Sequence, residues 1–135
     1  MATLKLEIVT PEAKIYSEDV DMVTLPGVEG EMGIYPMHIP LMTQIAHGEI
    51  VARKGGVDHH LATGEGFVEI TGDRVAILTE MAIKADDIDE AKAEEARKKA
   101  EARLSEKLSD EETASVQAAL AHSLTQLHVK RRTRR

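Results

Sequence analysis

An abrupt change in composition near residue 85 divides this 135-residue chain into two unlike parts. All 9 glycines and all 4 prolines lie before residue 73, whereas the residues after 85 are mostly Ala, Glu, Lys, Arg and Leu. Glycine and proline interrupt helices and form turns, and the second set consists of strong helix formers. The sequence therefore predicts a β domain over residues 1–85 and a helical part over residues 86–135.

The first part has the pattern of many short strands. Leu4, Leu6 and Ile8 alternate with Lys5 and Glu7, which is the period of a half-buried strand. Further strands are predicted around residues 14–16, 20–25, 49–53, 57–61, 67–70 and 74–79. Short strands separated by turn residues, without a helical period between them, indicate an all-β sandwich.

The second part predicts two helices, over about residues 88–106 and 110–129. Asp87 with Glu90, and Ser109 with Glu112, have the spacing of an N-cap followed by a capping-box acid. A short link makes such helices antiparallel neighbours. The apolar stripes expected to form the seam are Ile88, Ala96, Ala100, Leu104 and Leu108 on the first helix, and Val116, Leu120, Leu124 and Leu127 on the second.

This seam is narrow, so the helical hairpin is expected to be only marginally stable by itself. A buried Leu contributes about 1.5 to 3 kcal/mol, whereas ordering each backbone residue costs about 1 to 2 kcal/mol. The pair therefore needs a third surface. We expect the hairpin either to dock on its own sandwich or to open along a partner.

Composition excludes several functional classes. A net charge of -7 and an aromatic content of 2% disfavour nucleic-acid binding, which uses basic and aromatic surfaces. The absence of Cys excludes thiolate chemistry, and no three histidines or acids have metal-ligand spacing. No catalytic residue and no metal site is predicted, His59 and His60 are expected to be exposed loop residues, and neither a signal peptide nor a transmembrane span is expected.

The acidic chain nevertheless ends in a basic tail, which is either a solvated end or an arm that meets an acidic partner. Its charged residues are Lys130, Arg131, Arg132, Arg134 and Arg135.

The most specific pattern is residues 25–41, the signature segment, which reads LPGVEGEMGIYPMHIPL. Its glycines and prolines predict a long irregular loop. The segment resembles the signature of the ATP synthase epsilon subunit family, as do residues 64–67 and 87–91, in the same order. The resemblance spans nearly the whole chain.

The resemblance implies a non-catalytic central-stalk subunit of an F-type, proton-translocating ATP synthase. Its partners would be the gamma subunit, the c-ring and the alpha/beta catalytic head, where its C-terminal helices inhibit ATP hydrolysis. It would then lie peripherally on the cytoplasmic side of the cell inner (plasma) membrane and touch the membrane only through the complex. The residues themselves leave proton and sodium coupling open.

The resemblance also implies roles for particular residues. The c-ring-facing loop would comprise Val28, Glu29, Gly30, Glu31, Met32 and Gly33. His38, Pro40 and Leu41 would order the loop or contact the gamma subunit, and the basic tail would act in inhibition.

Some relatives bind ATP in the folded hairpin, and the corresponding candidates here are Ile88, Asp89, Lys92 and Ala93. Lys92 stands where the relatives have an arginine, and His122 and Gln126 stand where further arginines are expected. Lysine lacks the planar fork of arginine, so weak or absent ATP binding is expected, with no other cofactor. Two alternatives are a free-standing nucleotide sensor, and a sandwich adaptor whose tail docks on RNA or anionic lipid.

Overall fold

The computed structural model describes residues 2–133. These residues form ten strands, a short 3-10 turn at Ala85–Asp87, and two helices, α1 (Glu90–Leu104) and α2 (Asp110–Thr133). The strands are β1 (Leu4–Val9), β2 (Lys14–Val20), β3 (Met22–Gly27), β4 (Gly30–Ile34), β5 (His38–Ile45), β6 (Gly48–Lys54), β7 (Val57–Thr63), β8 (Gly66–Gly72), β9 (Arg74–Thr79) and β10 (Ala82–Lys84).

The strands pair in the order β10-β7-β6-β3-β5-β8-β9-β1-β2, with β4 added to β3. Only the β1–β9 pair is parallel among the described pairs. The sheet folds over an aliphatic core to which every strand contributes, some of them with alternate residues such as Leu4, Leu6 and Ile8 of β1. The predicted fold class, a β-sandwich followed by a two-helix hairpin, is confirmed.

The prediction of an irregular loop over the signature segment was wrong. Residues 22–34 form a β-hairpin, β3–β4, and residues from His38 onward form β5. Gly27 permits the tight turn, because a Cβ there would lie 2.6 Å from the Gly30 carbonyl oxygen. Pro26 and Pro40 misled the prediction, since proline is tolerated on strands where its missing N–H leaves no ladder bond broken.

The helix ends differ from the predicted ones in two places. The N-cap of α1 is Asp89, not Asp87, since the Asp89 side chain accepts a hydrogen bond from the Lys92 backbone N–H at 3.1 Å. Asp87 instead lies in the 3-10 turn. The helix α2 runs to Thr133, the last described residue, beyond the predicted end at 129.

The predicted capping box at the start of α2 is confirmed. The Glu112 N–H donates to Ser109 Oγ at 3.1 Å, and the Ser109 N–H donates to Glu112 Oε1 at 3.2 Å.

The predicted seam is only partly correct. Val116 and Leu127 are buried as expected, but Ala96 and Leu124 are exposed. A spacing of four residues drifts by about 40° per step on a helix of 3.6 residues per turn, so it leaves the buried face after a few steps. The buried helix positions are Ala93 and Ala100 on α1, and Val116, Ser123, Leu127 and Val129 on α2. Ala93 and Ala100 are seven residues apart, as are Val116 and Ser123, and Leu127 follows Ser123 by four, so these residues share one face of their helix. Val129 follows Leu127 by only two residues, about 200° around the helix, and packs on the sandwich side instead.

The hairpin docks on its own sandwich, one of the two arrangements expected. The helix α2 packs on β6, β7 and the 3-10 turn. At the centre of this contact the fully buried Val129 packs with Ala62, Ala85 and Ile88 in a small apolar cluster, separate from the sandwich core. This cluster supplies the third surface that the narrow seam lacks.

Candidate functional site

The tip of the β3–β4 hairpin carries the predicted ring-facing residues. Val28 and Glu29 form its two-residue turn between the paired Gly27 and Gly30. All of the predicted residues from Val28 to Gly33 are exposed except Met32, which is half-buried and packs against the sandwich core. The tip therefore presents one apolar and two acidic side chains on a short, hydrogen-bonded ribbon.

The link from β4 to β5 holds an unusual backbone conformation. Met37 has a φ of 66°, and its N–H donates to Asp73 Oδ1 at 3.3 Å. The His38 ring donates from Nδ1 to the Ile39 carbonyl oxygen at 2.6 Å, because a carbonyl can only accept. Pro40 and Leu41 of β5 are exposed. His38 thus orders the chain locally, while its neighbours remain free to meet another surface.

An exposed apolar row crosses the sandwich and was missed by the sequence reasoning. Phe67 of β8 pairs with Leu78 of β9, which pairs in turn with Val9 of β1. Phe67 is 53% exposed and Leu78 is 61% exposed. These three residues and Val28 line one open groove of about 780 Å³. The sequence does contain a signal for this row, because Phe67 and Leu78 are large apolar residues at outward-facing positions of strands whose inward-facing positions are also apolar.

The basic end of α2 makes ion pairs within the chain. Arg131 Nη2 lies 2.9 Å from Glu94 Oε2, and Arg131 Nε lies 3.7 Å from a Glu90 carboxylate oxygen. Arg132 pairs with Glu49 of β6, and Lys130 Nζ donates to the Ala85 carbonyl oxygen at 3.0 Å. These contacts connect the last turns of α2 both to α1 and to the sandwich.

The expectation of a solvated end is therefore corrected for Lys130, Arg131 and Arg132, which lie in α2, whereas contact of these residues with an acidic partner stays a prediction. Arg134 and Arg135 lie outside the described residues. The hydrogen bond from Arg97, followed by that from Arg131, lowers the pKa of Glu94. Glu94 is thus held as a carboxylate at the junction of the two helices.

Of the four nucleotide-binding candidates, two pack in the protein interior and one caps a helix. Ile88 and Ala93 are buried, and Asp89 caps α1. Lys92 is exposed. The arrangement leaves one of the four side chains free for a ligand.

The histidines lie on strands and at the domain contact, which corrects the expectation of exposed loop positions for His59 and His60. Both are half-buried on β7. His59 Nδ1 lies 3.1 Å from the Tyr16 hydroxyl oxygen, and His60 Nδ1 lies 3.2 Å from Glu49 Oε2. Within residues 2–133, no group of three or more histidines and acids is placed to hold a metal ion.

These residues build three surface features. They comprise the acidic tip, the exposed apolar row and a docked hairpin with a basic end. In the part of the chain that the structure covers, neither helix is long and apolar enough to cross a bilayer.

Comparisons with known proteins agree with this arrangement. Residues 3–85 match the family model of the ATP synthase delta/epsilon chain β-sandwich domain, and residues 86–131 match that of its long α-helix domain. An ATP synthase epsilon chain of Dehalococcoides mccartyi is 43% identical over 136 residues, which cover 100% of this chain and 97% of the relative. One from Herpetosiphon aurantiacus is 44% identical over 126 residues, covering 93% of each chain.

Solved structures give the same result. A chain in the Euglena gracilis mitochondrial ATP synthase assembly of OSCP, F1 and c-ring superposes with a TM-score of 0.74 at 25% identity, over 93% of this chain and 79% of that one. A chain from the central stalk and c-ring of the Tetrahymena thermophila enzyme shares the fold, with a TM-score of 0.55 at 13% identity over 94% of this chain and 96% of that one. The two family models together span nearly all of the sequence. The chain therefore belongs to the ATP synthase delta/epsilon chain family, and its curated relatives are epsilon chains.

Proposed function

We propose that this chain is a non-catalytic rotor subunit of an F-type ATP synthase, which binds the gamma subunit through the exposed apolar row of its sandwich. The row carries the proposal, because soluble domains rarely leave adjacent large apolar side chains in water unless a partner covers them. The row lies on β1, β8 and β9, whereas α2 packs on β6 and β7. The hairpin in its docked position therefore does not serve as the cover.

Replacing Phe67 by Asp tests this surface. The side chain is 53% exposed, so the fold tolerates the change, whereas a carboxylate in a covered apolar contact lacks a partner. Co-purification with a tagged gamma subunit is expected to weaken by roughly thirtyfold or more, the effect of losing an interface hot spot. Val57→Asp is the matched control, since Val57 is 57% exposed at the first position of β7. Equal binding by both variants would refute the assignment.

We further propose that the β3–β4 tip rests on the c-ring. The Euglena neighbour comes from an assembly that contains the c-ring, and the tip residue Val28 lines the same groove as the apolar row. One rigid body could therefore meet the shaft and the ring together. The chain has no Cys, so Glu31→Cys gives this subunit a single cysteine for crosslinking in the assembled enzyme. Crosslinking to a c subunit is expected from Glu31→Cys and not from Val57→Cys, and the reverse pattern would contradict the proposal.

Inhibition of ATP hydrolysis is proposed for the hairpin when it leaves the sandwich. In the docked state Arg132 is matched to Glu49 of the sandwich, so undocking would release this cation to acidic segments of the catalytic head, and separation of α2 from α1 would release Arg131 from Glu94 as well. A truncation after Leu108 removes α2, and it is expected to raise ATP hydrolysis by the assembled enzyme. Unchanged hydrolysis and latency would remove the inhibitory role.

ATP binding is proposed to be weak or absent. Ile88 and Ala93 are buried, and Asp89, although exposed, is engaged as the cap of α1, so Lys92 is the one candidate side chain left to meet a nucleotide. Calorimetric titration of the isolated chain should detect no micromolar affinity. Such an affinity would contradict the proposal and favour a nucleotide-sensing role.

Its place in the cell follows from these partners. The subunit would lie at the cytoplasmic side of the inner membrane, attached through the shaft and the ring of a proton-translocating enzyme. Fractionation that left the chain soluble in the presence of the assembled membrane complex would contradict this placement.

A further inference from the structure

Two histidines face each other where α2 meets the sandwich. The ring of His122 on α2 lies with its centroid 5.4 Å from that of His47, in the link between β5 and β6. The Nε2 atoms of both rings are buried, and neither has a hydrogen-bond partner among the described residues. The His122 ring also lies close to Gly64, since a Cβ added at Gly64 would lie 3.0 Å from His122 Nε2. This pair is part of the docking contact itself.

Two carboxylates stand at the rim of the pair. Glu80, between β9 and β10, lies 3.6 Å from His122 Nε2, and Glu65, between β7 and β8, lies 3.6 Å from His47 Nδ1. Both distances exceed a hydrogen bond. The groove beside His47 is also lined by charged or titratable groups of β4, β6, β7 and α2, namely Glu31, Glu49, Arg53, Asp58, His128 and Arg132.

The balance of these groups opposes protonation of His122 in the docked state. A second charge on the facing ring repels the first, and a charged imidazole at this contact loses water that no hydrogen bond replaces. The side chains of Glu65 and Glu80 are 71% and 68% exposed, so solvent screens their attraction. Burial first, and then the charge of His47, lower the pKa of His122, and the two glutamates oppose this only partly.

We propose that the His47–His122 pair is a pH-sensitive latch, which holds the hairpin on the sandwich while the His122 ring is neutral and releases it as that ring becomes charged. A hairpin that leaves the sandwich returns His122 to water, where its ordinary pKa is about 6.5. The open state therefore binds the proton more readily than the docked state. Docking is strongest above about pH 6.5 and weakens below it.

The latch is a property of the isolated chain. Only its consequence, that the hairpin released at acidic pH binds the catalytic head, rests on the proposed function. A failure to inhibit hydrolysis would leave the latch intact, and a failure of the latch would leave the rotor role intact.

A distance measurement on the full chain tests the latch. Cysteines introduced at the exposed positions Val57 and Lys107 place one spin label on the sandwich and one at the helix turn, in a chain that has no other cysteine. Pulsed electron spin resonance then gives the docked and open fractions. From about pH 8 to about pH 5.5 the docking equilibrium constant is expected to fall roughly tenfold, a partly screened repulsion between like charges.

Three variants test which histidine causes the pH dependence of docking. His122→Gln and His47→Gln keep polar side chains that cannot be charged, so each should flatten the pH dependence. His128→Gln, exposed on the same helix, should retain it.

Wild-type distances that are the same at both pH values would overturn the latch. So would pH dependence that persists in both glutamine variants. Should His122→Gln open the hairpin at every pH, a flat response of His47→Gln supports the latch and a wild-type response overturns it. NMR titration of the His122 ring in the wild-type chain decides independently of any variant: a midpoint below about 6.5 supports the latch, and one at or above it refutes it.

Discussion

Truncation of Val129 to Ala should undock the hairpin without unfolding the sandwich. Val129 is fully buried, and its neighbours Ala62, Ala85 and Ile88 form a cluster separate from the main core. A substitution there removes apolar contact from the docking surface alone. The expected effect therefore falls on one equilibrium, between docked and open hairpin.

The magnitude follows from the atoms removed. Two buried carbon groups at about 0.8 kcal/mol each give about 1.6 kcal/mol, and the small cavity left behind brings the loss to about 2 kcal/mol. A change of about 2 kcal/mol shifts an equilibrium roughly thirtyfold. For a hairpin held by a narrow seam and one small cluster, this is a large fraction of the docking free energy.

Hydrogen exchange followed by mass spectrometry reads this shift directly. Amides in the last turns of α2 should exchange roughly thirtyfold faster in Val129→Ala, whereas amides of β8 and β9 should keep their protection. Leu124→Ala is the matched control, because Leu124 lies on the same helix with 47% exposure and should change exchange much less. The reasoning fails if the two variants behave alike, or if the sandwich strands lose protection together with α2.

Three further predictions concern local features. Gly66→Ala should lower the melting temperature by at least about 5 °C, because the new Cβ would lie 2.1 Å from the Leu78 carbonyl oxygen. The control Gly33→Ala should leave the melting temperature nearly unchanged, because its Cβ would meet nothing closer than 3.9 Å. Equal melting temperatures for the two variants would contradict this prediction. Ser109→Ala should destabilise the start of α2 by about 1 kcal/mol through loss of the capping box, seen as faster exchange in its first turn, whereas the exposed Ser115→Ala should not. Burial raises the pKa of Tyr16 to about 12. In Tyr35→Phe, where Tyr16 is the sole tyrosine, ultraviolet titration should therefore give a midpoint at about 12, and a midpoint near 10 would refute the prediction. Because the pKa of Tyr16 is higher in the folded than in the unfolded chain, its contribution to stability is present below pH 10 and is lost as pH rises through about 12.

Local chemistry made several features readable from the sequence. The capping box of Ser109 and Glu112 depends on residues three apart, and the alternation of β1 depends on neighbours two apart. The signature segment could be recognised as a pattern even though its conformation was predicted wrongly. Pro26 and Pro40 lie on strands because the paired chains supply hydrogen bonds that no local rule anticipates.

The candidate site depended more on long-range contacts. Phe67 and Leu78 are eleven residues apart in sequence, and only the pairing of β8 with β9 makes them one apolar row. Arg132 meets Glu49 across 83 positions of sequence. A contact of this kind has no periodic signature, so the basic end of α2 looked like a free tail.

The sequence by itself determined a division into a strand-rich domain and a helical hairpin, because Gly, Pro and helix formers act on the backbone within a few residues of themselves. Only the tertiary structure decided which faces are covered. In the tertiary structure Val129 packs against the sandwich, the His122 ring faces the His47 ring, and the Phe67–Leu78 row is exposed to solvent. These outcomes arise from docking one element on another, and the free energy of docking is a property of two surfaces together.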